Sequence, residues 1–580
     1  MNPTICRRET PQNLFDWDGH ALLHQLYANR GIVCCDDLDM GLERLLPYSS
    51  LSNIEMAAHI LYSCLKEKKR IVIVGDFDTD GATSTALMIE VLQAFGHENL
   101  DYLVPNRFDF GYGLSPEIVE VAAQTNPALI VTVDNGIANQ AGVERANALG
   151  IQVIVTDHHL PPDELPNAAA IVNPNLVGDL FPSKNMAGVG VAFYLLLALR
   201  AKLIQENWFE INQRPIPNMA NWLDLVAVGT VADMVTLDVN NRRLVEQGLK
   251  RIRKGYCRVG IKTLLEVAKK NIYQITPSDI GFAIGPRLNA AGRLDDMSVG
   301  IQCLLAKDEY QARTLAIELD QLNLTRREIE GAMQQEALAQ VQELLSSLTS
   351  EETPEAFCLY NPQWHQGVVG LVASRIKEHF HRPVFAFAKE DDNNPNCTKI
   401  KGSGRSVSGI HIRDALAWID SQYPHIITKF GGHAMAAGLS LDNRYLKEFE
   451  SALKKAINIQ LGGRLFNHKL LSDGQLDSKW LSLETAEILK MAGPWGQGFP
   501  EPSFDGEFKV ATQKIVGAKH VKLILQTDSG MAVDAIAFNI DPLIWSNTVQ
   551  KVRVVYRPEV NEFRGEKSLQ LMIQYIEILA

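Results

Sequence analysis

The segment IVIVGDFDTDGATST, residues 71–85, gives the clearest indication of the fold. Its first four residues are all apolar and β-branched, which is typical of a strand buried on both faces of a sheet. Three aspartates follow at once, namely Asp76, Asp78 and Asp80, and a helical pattern then runs over residues 83–95. The stretch therefore predicts the first strand and helix of a βαβ unit.

Two more apolar runs of strand length lie at residues 128–133 and 151–155. Helical patterns at 115–124 and 140–149 precede them. Strands that alternate with helices form parallel sheets with helices on both faces. The predicted fold class is α/β, with a doubly wound parallel sheet, and a further apolar helix over 189–204 is expected in its core.

All three strands end in polar side chains. Asp134 follows the second strand, and Asp157-His158-His159 follow the third. Because ligands bind beyond the carboxyl ends of the strands in such sheets, we expect five aspartates and two histidines at one crevice. Carboxylates this close repel one another, and divalent cations offset that repulsion. Oxygen ligands with one or two imidazoles favour Mn²⁺ or Mg²⁺ over zinc.

These aspartates have two alternative interpretations. Asp-x-Asp-x-Asp-Gly also begins the calcium loop of an EF-hand, but that loop needs Glu at its twelfth position, where this chain has Leu87, and a preceding helix instead of a strand. Any single aspartate at a strand-to-helix turn is also a candidate helix N-cap. For the whole set, with His158 and His159 attached, the metal site is the favoured hypothesis.

The remainder of the chain divides by its pattern. A polar helix without proline is predicted over 310–348, of the kind that connects domains. A second α/β segment follows, and beyond about Gly462 the apolar residues alternate in period two, which favours a small β-barrel or sandwich. The predicted division is an N-terminal segment (1–45), the α/β domain with the acidic crevice (46–308), a connecting long helix (309–352), a second α/β domain (353–458) and a β-barrel domain (459–580).

Composition excludes several classes of protein. The chain has 580 residues, 46% hydrophobic and 21% charged, as globular domains do. No apolar stretch reaches the roughly 20 residues of a bilayer-spanning helix, no secretory signal is recognisable, and the eight cysteines form no CxxC pair. We expect a cytoplasmic protein with no membrane association. Residues 1–350 hold 30 basic against 42 acidic residues, the whole excess behind the net charge of −12, which fits a cation site better than wholesale nucleic-acid binding.

The acidic motifs at the ends of the three predicted strands resemble those of the DHH phosphoesterase superfamily, named for the triplet that stands here at 157–159. The resemblance covers nearly the whole chain and is closest to the branch of bacterial exonucleases specific for single-stranded DNA. It rests on VGDFDTDGATST (74–85), VTVDNGI (131–137), VTDHH (155–159), GTVADMVTL (229–237), GPRLNAAGRL (285–294), GSGRS (402–406) and GGHAMAAG (431–438). In that branch the second α/β domain is of the DHHA1 type and an OB-fold follows it.

The resemblance implies a pair of divalent metal ions, Mn²⁺ or Mg²⁺. Carried over, the first ion would be held by Asp78, Asp134 and Asp157. The second ion would be held by a set that shares Asp134 with the first: Asp80, Asp134, His158 and Asp233. Asp76 stands where many superfamily members have His, and His159 is expected to support a ligand or to contact phosphate. Together these eight residues are the predicted catalytic set.

The implied activity is two-metal hydrolysis of phosphodiesters. The substrate would be single-stranded DNA, degraded 5′→3′ to 5′-mononucleotides in repair and recombination. Guanidinium groups suit a terminal phosphate, and the candidates for substrate contacts are Arg107, Arg287, Asn289, Arg293, Ser403, Arg405 and His433. Gly402 and Gly404 would also let backbone N–H groups approach a phosphate. The alternative is that the arginines are ordinary surface residues and that these glycines only turn the chain. Barrel candidates for DNA contacts are Lys514, Lys519, Lys522, Phe538, Arg553, Arg557, Arg564 and Lys567.

Partners and alternatives follow from the same resemblance. We expect a monomer that receives DNA from a helicase and a single-strand-binding protein. One alternative is a DHH phosphodiesterase of short oligonucleotides or cyclic dinucleotides, against which the added barrel argues. Another is a non-catalytic scaffold that binds single-stranded DNA, against which the complete set of acidic ligands argues.

Overall fold

The apolar run Ile71–Val74 forms a strand with all four residues buried. The structure is a computed structural model, and it describes residues 3–106, 113–347, 354–391, 394, 397–517, 520–540, 545 and 549–579. The chain divides into two units. One contains Gln321–Leu470, and the other contains Ile5–Asp320 together with Leu471–Ala580. The division falls inside the long helix, and each unit is described by itself.

The first 308 residues contain most of the helices. In chain order they form β1 (Thr4–Arg7), α1 (Ala21–Ala28), α2 (Ile54–Lys66), β2 (Ile71–Val74), α3 (Thr79–Ala94), β3 (Leu100–Leu103), α4 (Pro116–Ala123), β4 (Leu129–Val133), α5 (Gln140–Ala148), β5 (Gln152–Thr156), β6 (Ala170–Val172), α6 (Gly188–Gln205), α7 (Trp208–Ile211), α8 (Leu223–Ala232), α9 (Val239–Arg253), α10 (Val259–Val267), α11 (Pro277–Asp279), α12 (Gly285–Leu294) and α13 (Ser298–Leu305).

The remaining elements include most of the strands. They are α14 (Glu309–Ser347), β7 (Phe357–Tyr360), α15 (Val369–Phe380), β8 (Val384–Lys389), β9 (Lys399–Arg405), α16 (Ile412–Gln422), β10 (Ile427–Gly432), β11 (Ala436–Asp442), α17 (Leu446–Leu461), β12 (Lys469–Ser472), α18 (Leu483–Met491), β13 (Phe504–Val516), β14 (His520–Gln526), β15 (Ala532–Ala537), β16 (Lys551–Phe563) and β17 (Glu566–Leu579).

The predicted doubly wound sheet is confirmed. Its strand order is β3-β2-β4-β5-β6, and every neighbouring pair is parallel. Val72 and Val74 belong to an apolar cluster with α4 and α5, while α3 and α6 pack on the strands from the other side. Helices on both faces leave the carboxyl edge of the strands open, and the acidic motifs lie on that edge.

Helix α6 is the core helix that the sequence predicts. Among the described residues it is the one helix long and apolar enough to cross a bilayer, and 67% of it is buried inside the protein. Its apolar circumference is therefore explained by packing against the sheet and its neighbouring helices.

The C-terminal strands close into a barrel of order β13-β14-β15-β17-β16. The β15–β17 pair is parallel, and the other pairs are antiparallel. Closure pairs every edge strand, so the period-two pattern gives one apolar interior. This confirms the predicted barrel.

The unit Gln321–Leu470 holds a second five-stranded sheet, of order β10-β11-β9-β8-β7. Only β7 and β8 among its described strands run parallel. Phe385, Phe387 and Phe449 lie at the centre of its core, with α16 and α17 around them. The predicted second α/β domain is thus confirmed as a mixed sheet covered by helices.

The N-terminal segment, which the sequence leaves unassigned, packs on the other parts of its unit. Arg30 makes two hydrogen bonds to the buried Asp473 carboxylate, at 3.0 and 2.8 Å. Arg243 on α9 donates to backbone carbonyls of the segment, including that of Arg44 at 2.6 Å, and is itself buried. The segment therefore connects the approach to the barrel with the helices of the sheet domain.

Candidate metal centre

The turn after β2 places the first aspartates. Asp78 caps α3, because its Oδ1 accepts the backbone N–H groups of Asp80 at 2.9 Å and Gly81 at 3.1 Å. The N-cap interpretation is thus correct for this residue, and the cap starts the helix four residues earlier than its apolar pattern predicts. Gly81 is needed here, since a Cβ would stand 2.5 Å from the backbone oxygen of Asp76.

Asp80 points from the first turn of α3 to the start of α6. Its side chain is buried, and its two oxygens accept the N–H groups of Gly188 at 2.6 Å and Val189 at 2.9 Å. A helix N-terminus is a favourable place for a carboxylate. Even so, burial first and the charge of Asp78 second raise the pKa of Asp80 to about 7.

Asp134 lies after β4 with a backbone φ of +62°. This left-handed conformation is uncommon for a residue with a side chain and marks a strained turn. The neighbouring Asn135 stabilises it, because its amide donates to the carbonyls of Val74 at 3.0 Å and Val133 at 2.9 Å. Asp134 is thereby held between the ends of two strands.

His158 and Asp233 complete the crevice. His158 Nε2 lies 3.1 Å from Asp134 Oδ1 and 3.5 Å from Asp233 Oδ2. Asp233 is the C-cap of α8, and the next residue, Met234, has a φ of +59°. Burial and the charges of nearby aspartates, Asp80 first, raise the pKa of Asp233 as they do that of Asp134.

Asp157 has quite different surroundings. Its Oδ1 accepts from the Nδ1 of His159 at 2.7 Å and from the His158 N–H at 2.7 Å, and its Oδ2 accepts the Ile137 N–H at 3.0 Å. Burial alone would raise the pKa of Asp157, but these partners lower it to about 2. For His159, burial acts in the opposite direction and would lower the pKa. The hydrogen bond to Asp157 and the charge of that carboxylate outweigh the effect of burial and raise the pKa of His159 to about 9.

The possible ligand atoms form three overlapping groups. Within each group, all the atoms lie within 4.8 Å of one another. They are Asp76, Asp78 and Asp134; Asp80, His158 and Asp233; and Asp134, His158 and His159. The second group contains three of the four ligands expected for one ion. For the other ion the structure brings Asp76, where the sequence analysis places Asp157, to Asp78 and Asp134.

The chemistry of this donor set fits divalent cations. Several buried carboxylates with raised pKa values repel one another without a counter-charge. Asp233 Oδ2 is buried and has no hydrogen-bond partner within the described part of the chain, although it lies close to His158. Carboxylate oxygens with one imidazole suit Mn²⁺ and Mg²⁺. The residues present therefore fit two such ions.

Two glycines that the sequence analysis did not single out leave room for this set. A Cβ at Gly188 would stand 2.6 Å from the Asp134 Cβ, and one at Gly229 would stand 2.8 Å from Asp80 Oδ1. Both lie on helices, where glycine costs about 1 kcal/mol relative to alanine. The signal in the sequence that could have identified them is a glycine within an apolar helical pattern, close to an acidic motif.

The predicted substrate residues of the first unit have mixed surroundings. Asn289 Oδ1 accepts from the Thr79 N–H and hydroxyl, each at 2.8 Å, so it holds the start of α3. Arg287 pairs with Asp320 at 2.8 Å and donates to a backbone carbonyl. Arg293 lies in the last turn of α12, and Arg107 falls outside the described residues.

Ser403 and Arg405 lie together on β9 in the second unit. Arg405 Nη1 donates to Ser403 Oγ at 3.0 Å, and a Cβ at Gly370 in the first turn of α15 would lie 2.9 Å from each side chain. The pair is thus next to a helix N-terminus, a favourable place for an anion. His433 lies elsewhere in this unit, in the exposed turn between β10 and β11.

The glycines of GSGRS serve packing. A Cβ at Gly402 would stand 2.3 Å from the Phe387 ring, and one at Gly404 would stand 2.4 Å from the Phe385 ring. The close approach of these rings, more than any approach of phosphate to the backbone, requires glycine at both positions.

Most basic barrel candidates are in ion pairs. Arg553 pairs with Glu507, Arg557 with Glu501, Lys522 with Asp534 and Lys567 with Glu487. Ion pairs near the surface contribute little to stability. Lys519 falls outside the described residues.

At the level of class, the sheet and its acidic edge are those of the DHH family. The description "DHH family, N-terminal domain" matches residues 70–230. The DHHA1 domain matches residues 354–460, and the RecJ OB domain matches residues 472–575. These matches agree with the two sheets and the closed barrel.

Full-length relatives narrow the class. The chain is 53% identical over 557 residues to the single-stranded-DNA-specific exonuclease RecJ of Escherichia coli (strain K12), covering 96% of this chain and 95% of that one. It is 32% identical to the protein of the same name from Bacillus subtilis (strain 168), covering 90% and 63%. The chain belongs to the RecJ family.

Solved structures agree with this assignment. The crystal structure of RecJ in complex with Mn²⁺ from Thermus thermophilus matches with a TM-score of 0.77 and 30% identity, over 96% of this chain and 75% of that one. The corresponding complex with Mg²⁺ matches with a TM-score of 0.71 and 28% identity, over 96% and 74%.

Proposed function

We propose that this protein is a metal-dependent exonuclease that degrades single-stranded DNA in the 5′→3′ direction to 5′-mononucleotides, in DNA repair and recombination. One observation carries the proposal: two groups of buried or partly buried ligands, mostly carboxylates, lie side by side at the carboxyl edge of the sheet. Asp134 belongs to one group and lies 3.1 Å from His158 of the other. The names of the relatives supply the substrate, since exonucleases specific for single-stranded DNA match almost the whole chain.

The ligands divide between two ions. Asp76, Asp78 and Asp134 hold one of them, and Asp80, Asp134, His158 and Asp233 hold the other. When bound, the two cations lower the pKa of a water for in-line attack and neutralise charge on the phosphoryl and leaving oxygens. Mn²⁺ and Mg²⁺ are the proposed cofactors, as in the Thermus complexes.

Asp157 has a separate role in this proposal. Its oxygens are already engaged by His159 and by backbone N–H groups, so it orients His159 and keeps the ring protonated. The cationic His159 then contacts the scissile or adjacent phosphate and opposes its negative charge. The sequence-based role of Asp157 as a ligand is the competing assignment.

The predicted substrate-contact residues bind and orient the DNA strand. Ser403 and Arg405, next to the start of α15, hold the terminal 5′-phosphate. Arg107 is a separate predicted contact to the DNA. Arg293 and His433 are proposed contacts to the strand. Asn289 acts indirectly by holding Thr79, and Arg287 acts on DNA only if its pair with Asp320 opens.

We propose the five-part division at residues 1–45, 46–308, 309–352, 353–458 and 459–580, a cytoplasmic monomer, and a helicase and a single-strand-binding protein as the suppliers of substrate. The barrel, closed and equipped with basic and aromatic side chains, is the candidate grip on the trailing strand.

The test uses single-stranded DNA with a 5′-phosphate and a 3′ label, incubated with Mn²⁺. A blunt duplex and the Asp80→Ala protein run in parallel. We expect shortening from the 5′ end on the single strand alone, with none in the variant. Cleavage of dinucleotides or cyclic dinucleotides with long DNA intact would establish the small-substrate phosphodiesterase instead, and binding without cleavage would establish the scaffold.

A further inference from the structure

The segment that leads into the barrel reaches the loop that follows Asp233. We call residues Gly493–Phe499, GPWGQGF, the 493–499 loop. The Leu237 N–H donates to the carbonyl of Gln497 at 2.7 Å. Two glycines permit the contact: a Cβ at Gly496 would stand 2.6 Å from Leu237 Cδ1, and one at Gly498 would stand 2.4 Å from Thr236 Cγ2. Backbone therefore lies directly on residues three and four positions after a proposed metal ligand.

The 493–499 loop has internal bonds that fix its shape. Gly496 and Phe499 exchange backbone hydrogen bonds at 2.9 and 3.1 Å. The rings of Trp495 and Phe499 stack with centroids 5.1 Å apart, and Trp495 Nε1 donates to the carbonyl of Leu489 at 2.8 Å. Because these contacts hold the loop in one shape, a shift at one end of the loop also moves the residues at its other end, unlike in a flexible linker.

Residues of the N-terminal segment and of α9 hold the loop from behind. The Arg242 guanidinium lies 4.2 Å from the centre of the Phe499 ring, and that of Arg30 lies 5.3 Å from the Trp495 ring. The Tyr27 hydroxyl donates to the Ala492 carbonyl at 2.8 Å. Arg30 and Arg242 are both nearly inaccessible to solvent, so these contacts are part of a packed interior.

On its other side, the loop meets a turn whose geometry depends on support. Asp233 ends α8, Met234 has a φ of +59°, and α9 starts at its N-cap Asp238. A left-handed residue other than glycine or asparagine costs about 1–3 kcal/mol and persists where its surroundings fix it. Asn241 donates to the Thr236 carbonyl at 2.9 Å from within α9, and the Leu237–Gln497 bond fixes the same turn from the barrel side.

We propose that the 493–499 loop is a positioning element for the metal centre, which sets Asp233 against Asp80 and His158. The inference rests on the proposed function, since it concerns the ion held by those three residues. It joins the DNA-binding barrel to one metal site through backbone contacts, so the seating of the barrel and the affinity for that ion are coupled. Such coupling is reciprocal: binding of the ion also tightens the seating of the barrel.

The experiment compares two glycine-to-alanine variants of the full chain without DNA. Gly498→Ala brings a Cβ onto Thr236 at a φ of +73°. Gly565→Ala is the matched control, because Gly565 lies in the same domain with a φ of +83° and no atom within 4 Å of its Cβ position. Both variants have the same kind of backbone strain, and only the first disturbs the turn after Asp233.

Mn²⁺ binding is measured by electron paramagnetic resonance titration, which counts free and bound ions. We expect Gly498→Ala to bind one ion as the wild type does and the other at least about tenfold more weakly, the loss typical when a residue supporting a ligand is changed. Gly565→Ala is expected to bind both ions normally. The double variant Gly498→Ala with Thr236→Ser removes the clashing Cγ2 and should recover the affinity of the control.

Each other outcome is decisive. Two normal ions in a folded Gly498→Ala protein, or equal weakening of both, would overturn the positioning role. Failure of Thr236→Ser to rescue would also overturn it. If Gly498→Ala does not fold, Tyr27→Phe, which removes the bond to Ala492, is expected to weaken the same ion selectively, and unchanged binding in that variant would contradict the inference. A wild type that binds no Mn²⁺ would instead refute the proposed function.

Discussion

Carboxylates in one crevice have two opposite electrostatic environments, that of Asp157 and that of Asp80, Asp134 and Asp233. Asp157 is surrounded by N–H donors and a histidine, and its pKa falls to about 2. Asp80 and Asp134 are as deeply buried, and Asp233 is partly buried. In these three, mutual repulsion adds to burial and raises the pKa values. Burial alone therefore does not make a carboxylate a metal ligand. We propose that the carboxylates without enough positive partners are the metal ligands.

The largest effect is expected where the two ligand groups meet. Asp134→Asn removes a charge near both ions, and we expect kcat/KM on single-stranded DNA to fall on the order of a thousandfold or more. Asparagine tolerates the left-handed backbone of this position, so the fold should persist. Asp528→Asn, in an exposed turn of the barrel, is the control and should keep full activity. Comparable activity in the two variants would remove the basis of the comparison.

The affinity for Mn²⁺ should depend on pH around neutrality. A proton on Asp80, whose pKa rises to about 7, must leave before an ion binds, so affinity should increase about tenfold per pH unit below pH 7 for each proton released, and then level off. Isothermal titration in buffers of different ionisation enthalpy measures both affinity and proton release. A pH-independent affinity between pH 5 and 7 would contradict the raised pKa.

The same pKa shift makes a prediction for the metal-free protein. Asp80 has an ordinary pKa of 3.8, which folding raises to about 7. The folded state then binds more protons than the unfolded chain in this interval, so its contribution to stability decreases as pH rises from about 4 to 7. Denaturant titrations with a chelator measure this trend, and saturating Mn²⁺ should reduce it.

Removal of one charge should change the free energy of unfolding in opposite directions at Asp233 and at Asp157. Asp233→Asn relieves repulsion and should raise the metal-free free energy of unfolding, whereas Asp157→Asn leaves donors unsatisfied and should lower it by about 1–3 kcal/mol. The Asp157–His159 contribution should vanish as pH rises through about 9, where His159 loses its proton, and as pH falls through about 2, where Asp157 gains one. Equal effects of the two variants would erase the distinction.

A smaller effect is expected at Asn289. Asn289→Ala removes the acceptor of the Thr79 N–H and hydroxyl, at a cost of about 1 kcal/mol in stability. Because it only loosens the turn that carries Asp78 and Asp80, activity should fall several-fold while two Mn²⁺ ions still bind. Asn271→Ala removes a comparable cap, that of the short helix at Ile272–Gln274, and should leave activity unchanged.

Much of this architecture could be predicted from the sequence. Alternation of buried strands with helices predicted the first sheet as parallel, and the rule for ligands at the carboxyl edge brought Asp76, Asp78, Asp80, Asp134 and His158 together correctly. The resemblance added Asp233, which lies 75 residues after His158 in the sequence. Period two predicted the barrel, although not its strand order.

Other features depend on contacts that no local pattern encodes. The distinction between Asp157 and Asp76 arises from hydrogen bonds to His159 and Ile137, which the sequence spacing does not reveal. Gly402 and Gly404 suggested a phosphate cradle, but the rings of Phe385 and Phe387 on the neighbouring strand occupy that space. The packing of Gly498 on Thr236 joins residues more than 250 positions apart, and only the folded chain shows it.

The most direct test of the central claim counts the Mn²⁺ ions bound by two isosteric variants, Asp233→Asn and Asp157→Asn, by electron paramagnetic resonance titration at pH 8. We expect two ions in the wild type, one in Asp233→Asn, and two in Asp157→Asn with affinities within about tenfold of the wild type. Loss of an ion in Asp157→Asn while Asp233→Asn keeps both would contradict it.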